Sequence, residues 1–179
     1  MDIRCLKRDN LNGDTEPSAH GAGPCQPDSL RLMKTIVAAL DFSDATPRVL
    51  DQAVGLAHAF GAELHLLHTV DPGPDYAIYG FGPAELPDAD ITERAREASD
   101  KRLADLAAAA GLDEAKVHTA TLSAMPVEGI LGYARDHAAD LVVLGAHGHG
   151  VLTSMFVGSV AQGVVRHAEF ATLVVPGKC

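Results

Sequence analysis

Leu141–Ser159 reads LVVLGAHGHGVLTSMFVGS. The run Leu141-Val142-Val143-Leu144 is short, continuous and apolar, the pattern of a strand buried on both faces. Gly145 breaks it, glycine recurs at 148, 150 and 158, and regular structure resumes near Gly158-Ser159. Glycine lets backbone amides approach a ligand with no Cβ in the way. The free N–H groups that open a helix favour an anion. A strand, a glycine loop and a helix start together predict a place for phosphate groups.

The rest of the chain supplies the frame. Among 179 residues, 47% are hydrophobic but only 4% aromatic, with no Trp, so Ala, Val, Leu and Ile must do the packing. That bias suits helices laid on a parallel sheet. The length fits one domain with a tail: a leader over 1–32, a domain over 33–176 and a tail over 177–179. The formal net charge of −10 carries no Lys/Arg run, which argues against nucleic acid or a membrane surface as partner. Cys5, Cys25 and Cys179 sit far apart at the two ends. They form neither a disulfide framework nor a metal motif, and a cytoplasmic chain is expected. No apolar run reaches the roughly 18 residues that span a bilayer, so no membrane insertion is expected.

Met1 to Leu32 lack any periodicity or signal-like apolar core and read as a disordered leader. Met33 stands directly before the first strand-like run, and a start of translation there is one reading beside the leader. Lys34 to Leu40 is that strand, ended by Asp41-Phe42-Ser43-Asp44. Asp44 is expected to cap a helix with Pro47 in its first turn. Val49, Ala53, Leu56, Ala57 and Phe60 share one helical face, and Gly61 closes the helix. Glu63 to Val70 is a second strand. The Gly- and Pro-rich stretch that follows, to Asp90, is too long for a simple connection and reads as either a mobile flap or a ligand cover, the flap being favoured.

Ile91 to Ala110 is a helix with an inner stripe of Ile91, Ala95, Ala98, Leu103, Leu106 and Ala110, and with a Glu97–Lys101 pair on its surface. Lys116 to Leu122 alternates as a less buried third strand. Pro126 opens a third helix whose Val127, Ile130, Leu131, Ala134 and Ala138 face the sheet. After the glycine loop come a short helix, with Val160, Val164, Val165 and Ala168 inward, and a fifth strand, Ala171 to Val175, stopped by Pro176. The alternation of strand and helix predicts an α/β fold: a five-stranded parallel sheet with helices on both faces and right-handed crossovers. Ligands in such sheets sit beyond the carboxyl ends of the strands, where the strand order reverses. Asp41, Thr69 and Gly145 all fall at that edge.

Gly145, Gly148, Gly158 and Ser159 give the spacing G-x2-G-x9-G-[ST], which arises by chance in about one chain in a hundred at ordinary glycine usage. With the strand endings Leu40-Asp41-Phe42-Ser43, Leu66-Leu67-His68-Thr69-Val70 and Leu173-Val174-Val175-Pro176, this spacing resembles the universal stress protein family over Met33 to Pro176. The resemblance implies a three-layer, single-domain sandwich of Rossmann-like type with strand order 3-2-1-4-5. It also implies the ATP-binding branch, with ATP and Mg2+ (or Mn2+) as cofactors and the metal held by the phosphates rather than by a protein site. By the same resemblance, Asp41 stands near the adenosine and Thr69 or Val70 contacts the base, with Ala39 and Ser43 counted among the nucleotide-binding residues. Gly145 and Gly148 follow ribose and phosphates, and Gly158, Ser159 and the backbone of Val160 surround the terminal phosphates; Leu144, His147, His149 and Gly150 are counted with the nucleotide-binding residues, His149-Gly150 being an extra histidine and glycine relative to the family. Ala124 departs from the family, many members having Gly there.

His147 and His149 lie within reach of a triphosphate, although solvated loop residues are the simpler reading of both. His65 and His68 fall on opposite faces of their strand, which argues against a paired metal site there. There is no Walker-type Gly-Lys-[ST], and no lysine between Lys116 and Lys178. Fast phosphoryl transfer needs such a cation. The expectation is therefore a nucleotide-binding regulatory module with no catalytic residue and at most slow hydrolysis. A slow ATPase or phosphotransfer enzyme is the alternative, and a scaffold without nucleotide the third reading. The resemblance also implies a homodimer through Ala171–Val175, an apolar edge strand that pairing would cover. The protein partner is not legible.

Overall fold

The computed structural model describes residues 33–71, 89–148 and 157–177. The expected leader, nearly all of the flap, and His149 and Gly150 lie outside the described residues. In chain order the elements are β1 (Thr35–Ala39), α1 (Thr46–Phe60), β2 (Glu63–Val70), α2 (Ala89–Ala109), β3 (Val117–Ser123), α3 (Pro126–Asp136), β4 (Leu141–Gly145), α4 (Ser159–His167) and β5 (Ala171–Val175). A single 3-10 turn, Glu114–Lys116, leads into β3.

All strand pairs are parallel and the order is β3-β2-β1-β4-β5, the expected 3-2-1-4-5. Strand β1 is central, with Ala38 opposite Leu66 on one side and Val143 on the other. Its residues Ile36, Val37 and Ala38 have no exposed surface at all. Alternation along the strand then divides the core. Ile36, Ala38 and Leu40 pack with Val49, Ala53 and Ala57 of α1 and Leu103 of α2. Val37 packs with Ile130, Leu131 and Ala134 of α3 and Ala161 and Val164 of α4. Each fully buried Leu, Ile or Val contributes about 1.5–3 kcal/mol, which is why helices cover both faces. The register of β1 and β4 is held at its start by Asp140, whose Oδ2 accepts hydrogen bonds from the amides of Lys34 (2.7 Å) and Thr35 (3.2 Å).

Several local expectations are corrected by packing. The N-cap of α1 is Ala45, with no side-chain cap, and Asp44 is exposed. The Ser43 hydroxyl takes the Ala45 amide instead (3.3 Å), because the turn at Asp41–Ser43 brings Ser43 under the helix start. Gly61 does close α1, with a left-handed φ of 64°. Phe60, in the last turn, is exposed, and the buried apolar group at that end is Ala62.

Helix α2 covers the sheet near edge strand β3, so only a narrow stripe is buried. Ser99 and Leu103 are inside, whereas Ala95 and Ala98 are exposed. Its ion pairs run from Arg96 to Glu93 (2.6 Å) and Asp100 (2.9 Å), not from Glu97 to Lys101. Ala138 has left-handed φ (48°) and is exposed; the chain reverses there and buries Ala139. Val165 is exposed and Ala161 takes its place in the inner face of α4. Among the described residues no helix is long and apolar enough to cross a membrane.

Helices α3 and α4 approach closely through Gly163, where an added Cβ would stand 2.7 Å from Val127 Cγ2. Gly163→Ala is therefore expected to lower stability by about 1–3 kcal/mol despite the better helix propensity of alanine. Gly55→Ala, in α1 with nothing within 4 Å of the new Cβ, is expected to raise stability by about 0.5–1 kcal/mol. Urea denaturation of both variants checks the contrast.

His65 is buried, with Nδ1 3.0 Å from the Tyr133 hydroxyl. Burial, helped by the neighbouring imidazoles of His118 and His137, lowers its pKa from 6.5 to about 4. The unfolded chain then binds a proton that the native chain refuses as pH falls from 6.5 to about 4. Stability must decline across that window, with the His65 contribution fully lost below it. His65→Gln keeps a polar partner for Tyr133 without a titrating group, and equilibrium unfolding between pH 4 and 7 should show it less acid-sensitive than the parent chain.

Candidate functional site

The chain builds outward from β1 to β2 and β3, then crosses back to β4 and β5, so the order reverses between β1 and β4. Beyond their carboxyl ends lies a cavity of about 290 Å3. Ala39, Leu40 and Asp41 from the end of β1 line it, with Leu67, His68 and Thr69 from β2. Leu144 to Gly148 contribute from β4 and its loop, Gly158 to Ala161 from the start of α4, and Pro126 and Ile130 from α3.

The Asp41 carboxylate is held by the turn it starts. Its Oδ1 accepts from the Ser43 amide (3.0 Å) and the Ser43 hydroxyl (2.7 Å), a side-chain turn of the kind aspartate favours. The reversal puts Phe42 at φ 60°, rare for a bulky residue. Its ring contacts the His68 imidazole (centroids 4.3 Å apart, tilted) and lies under the Arg102 guanidinium (4.2 Å from the ring centroid). His68 Nδ1 in turn lies 2.6 Å from the Leu40 carbonyl. A carbonyl only accepts, so that nitrogen carries the proton and donates.

The glycine loop approaches Asp41 so closely that a side chain has no room. An ideal Cβ at Gly148 would lie 2.8 Å from Asp41 Oδ2. At Gly158 it would meet the Ala146 carbonyl at 3.3 Å, and at Gly145 the His147 carbonyl at 3.2 Å. Gly158 donates its amide to the Ala146 carbonyl (2.7 Å), and Ala146 donates to the Val175 carbonyl (2.7 Å), which ties both ends of the loop to the sheet.

Gly158 is also the N-cap of α4, and being glycine it offers no capping side chain. The first amides of the helix, Ser159 to Ala161, have no intrahelical acceptor and border the cavity. His147 adds a buried Nε2 with no hydrogen-bond partner. An unpaired buried donor or acceptor costs about 1–3 kcal/mol. The lining residues include no lysine or arginine among those described. Positive potential here comes from the helix terminus.

Of the residues named from the sequence, Ala39, Asp41, Thr69, Leu144, Gly145, His147, Gly148, Gly158, Ser159 and Val160 line the cavity. Ser43 stands behind Asp41 as its hydrogen-bond partner. Val70 is outside the lining; its carbonyl accepts the Ala124 amide (3.1 Å). His149 and Gly150 lie outside the described residues. Leu40, Leu67, His68, Pro126, Ile130, Ala146 and Ala161 line the cavity without having been named. The period-two rule pairs Leu67 with Thr69 and offered that one in advance; the approach of α3 had no local signal.

Comparison with known proteins gives this arrangement a lineage. The universal stress protein family model matches residues 33–176. A universal stress protein of Thermus aquaticus is 35% identical over 144 residues, covering 80% of this chain and 99% of that protein. Another, from Methanocaldococcus jannaschii, is 33% identical over 144 residues, covering 80% and 82% of the two chains. Among solved structures, a universal stress protein in complex with cAMP superposes with TM-score 0.56 at 26% identity, covering 81% of this chain and 98% of that one. On the match of its sequence from Met33 to Pro176, the chain belongs to the universal stress protein family.

Proposed function

We propose that this chain is a cytoplasmic module that binds an adenine nucleotide, ATP with Mg2+ or Mn2+, and reports its occupancy to a protein partner by a change of conformation. The observation that carries this is the uncapped start of α4 opening on a cavity that the anchored Asp41 also lines. The helix start and Gly158 suit phosphate oxygens. A carboxylate suits the hydroxyls of a ribose, and the apolar Leu67 and Ile130 beside Thr69 suit a base. The relative solved with cAMP supports an adenine nucleotide as the ligand class. The divalent ion would be carried mainly by the phosphates and would neutralise their charge, with the chain's amides and Ser159 orienting them.

The alternative is slow ATP hydrolysis or phosphotransfer, with Asp41 or His147 as base. No cationic side chain among the described lining residues serves a developing γ-phosphate charge, and this favours binding over turnover. Edge strand β5, apolar at Leu173 to Val175, supports a homodimer by strand pairing.

Titration calorimetry with ATP–Mg2+ tests the reading. The parent chain is expected to bind one nucleotide, and Gly148→Val to lose at least about tenfold in affinity, about 1.4 kcal/mol, because its side chain collides with Asp41. No heat with the parent chain would favour the scaffold. Steady ATP consumption abolished by Asp41→Ala or His147→Ala, with affinity kept, would favour the enzyme. For the dimer, sedimentation at micromolar concentration should give twice the chain mass, and a single-chain mass would rule it out.

A further inference from the structure

At the opposite end of β2 from the nucleotide cavity, a second group of polar side chains gathers on one face of the sheet. The parallel register sets His118 of β3 directly beside His65 of β2, and Glu63, two residues upstream, points to the same side. Each of the three offers one ligand atom, and these atoms all lie within 4.8 Å of one another. Glu63 Oε2 and His118 Nε2 are 3.8 Å apart. Ligands 2.0–2.2 Å from a tetrahedral centre stand about 3.3–3.6 Å from each other. Small rotations of the two exposed side chains, Glu63 and His118, therefore close the set.

The third donor is already held in place. His65 is buried and its Nδ1 lies 3.0 Å from the Tyr133 hydroxyl, which leaves Nε2 as its ligand atom. Tyr133 is braced by stacking on His137 (centroids 3.9 Å apart), whose Nδ1 donates to the Tyr133 carbonyl (2.9 Å). A partner that fixes the tautomer and orientation of a histidine is the usual outer support of a metal ligand.

We propose that Glu63, His65 and His118 form a binding site for a divalent transition-metal ion of the Zn2+ type, separate from the nucleotide cavity. Two imidazoles and one carboxylate favour Zn2+, Co2+, Ni2+ or Cu2+ over Mg2+ and Ca2+, which prefer oxygen. The remaining coordination position falls to water, since the site opens to solvent at Glu63 and His118. The same group without a metal would be a stack of imidazoles at the sheet surface, and affinity for an ion separates the two.

The test uses the untagged full chain, stripped with chelator and free of nucleotide, titrated with Zn2+ and, spectroscopically, with Co2+. The parent chain should bind one ion in the micromolar range or tighter, and Co2+ should acquire the strong visible absorption of a low-coordinate site. His118→Ala and Glu63→Gln should each weaken binding at least about tenfold and lose that absorption. Both replace exposed side chains, and retained circular dichroism and ATP affinity will show the fold intact. His58→Ala, on the exposed side of α1, should bind as the parent does. A parent chain that binds no Zn2+ in this range overturns the proposal, as does binding that survives both substitutions.

Discussion

Strand β1 is hydrogen-bonded along both edges and buried on both faces. Its middle residues Ile36, Val37 and Ala38 have no surface that water can serve, so helices must cover it above and below. One chain can satisfy this by laying strands outward on one side of β1, then returning to lay the rest on the other. The reversal leaves β1 and β4 adjacent with their connections departing in opposite directions, and a crevice opens between them. The cavity is thus a consequence of burying Thr35–Ala39.

What occupies the rim of that crevice is set by close approach. Asp41 is fixed by its own turn, and a Cβ at Gly148 would stand 2.8 Å from its Oδ2, so a side chain there has to displace the carboxylate. The strained φ of Phe42 is sustained by a ring stack and a cation above it, a local cost of the order of 1–3 kcal/mol offset by packing. Removing side-chain bulk at the loop brings the amides that open α4 to the cavity, where they supply a positive edge in an otherwise acidic chain. Helix α3 touches both ends of the sheet face it covers: Pro126 and Ile130 border the cavity, and Tyr133 holds His65 near the other end of β2.

The architecture was readable because its signals are local and repeated. Glu63–Val70 and Ala171–Val175 are strands to the residue, since apolar runs bounded by Gly, Pro and Asp leave little freedom. Pro126 opens α3 and Gly61 closes α1 for reasons that belong to proline and glycine themselves. The rim of the site was equally legible, as glycine spacing and strand endings are local features. Helix faces were less so. Ala98 and Val165 lie outside, and Ser99 and Ala161 inside, because how a helix is seated on the sheet sets which edge of its apolar stripe is buried.

Sequence alone therefore determined the α/β alternation, the fully buried central strand and the glycine loop at a strand end, all encoded in residues adjacent along the chain. Tertiary structure alone decided which residues from distant elements meet. Leu67, Pro126 and Ile130 share a cavity, and His65 has His118 beside it rather than His68. The physical reason is register: a strand's own alternation says which side a histidine faces, but only the pairing of β2 with β3 says what stands next to it.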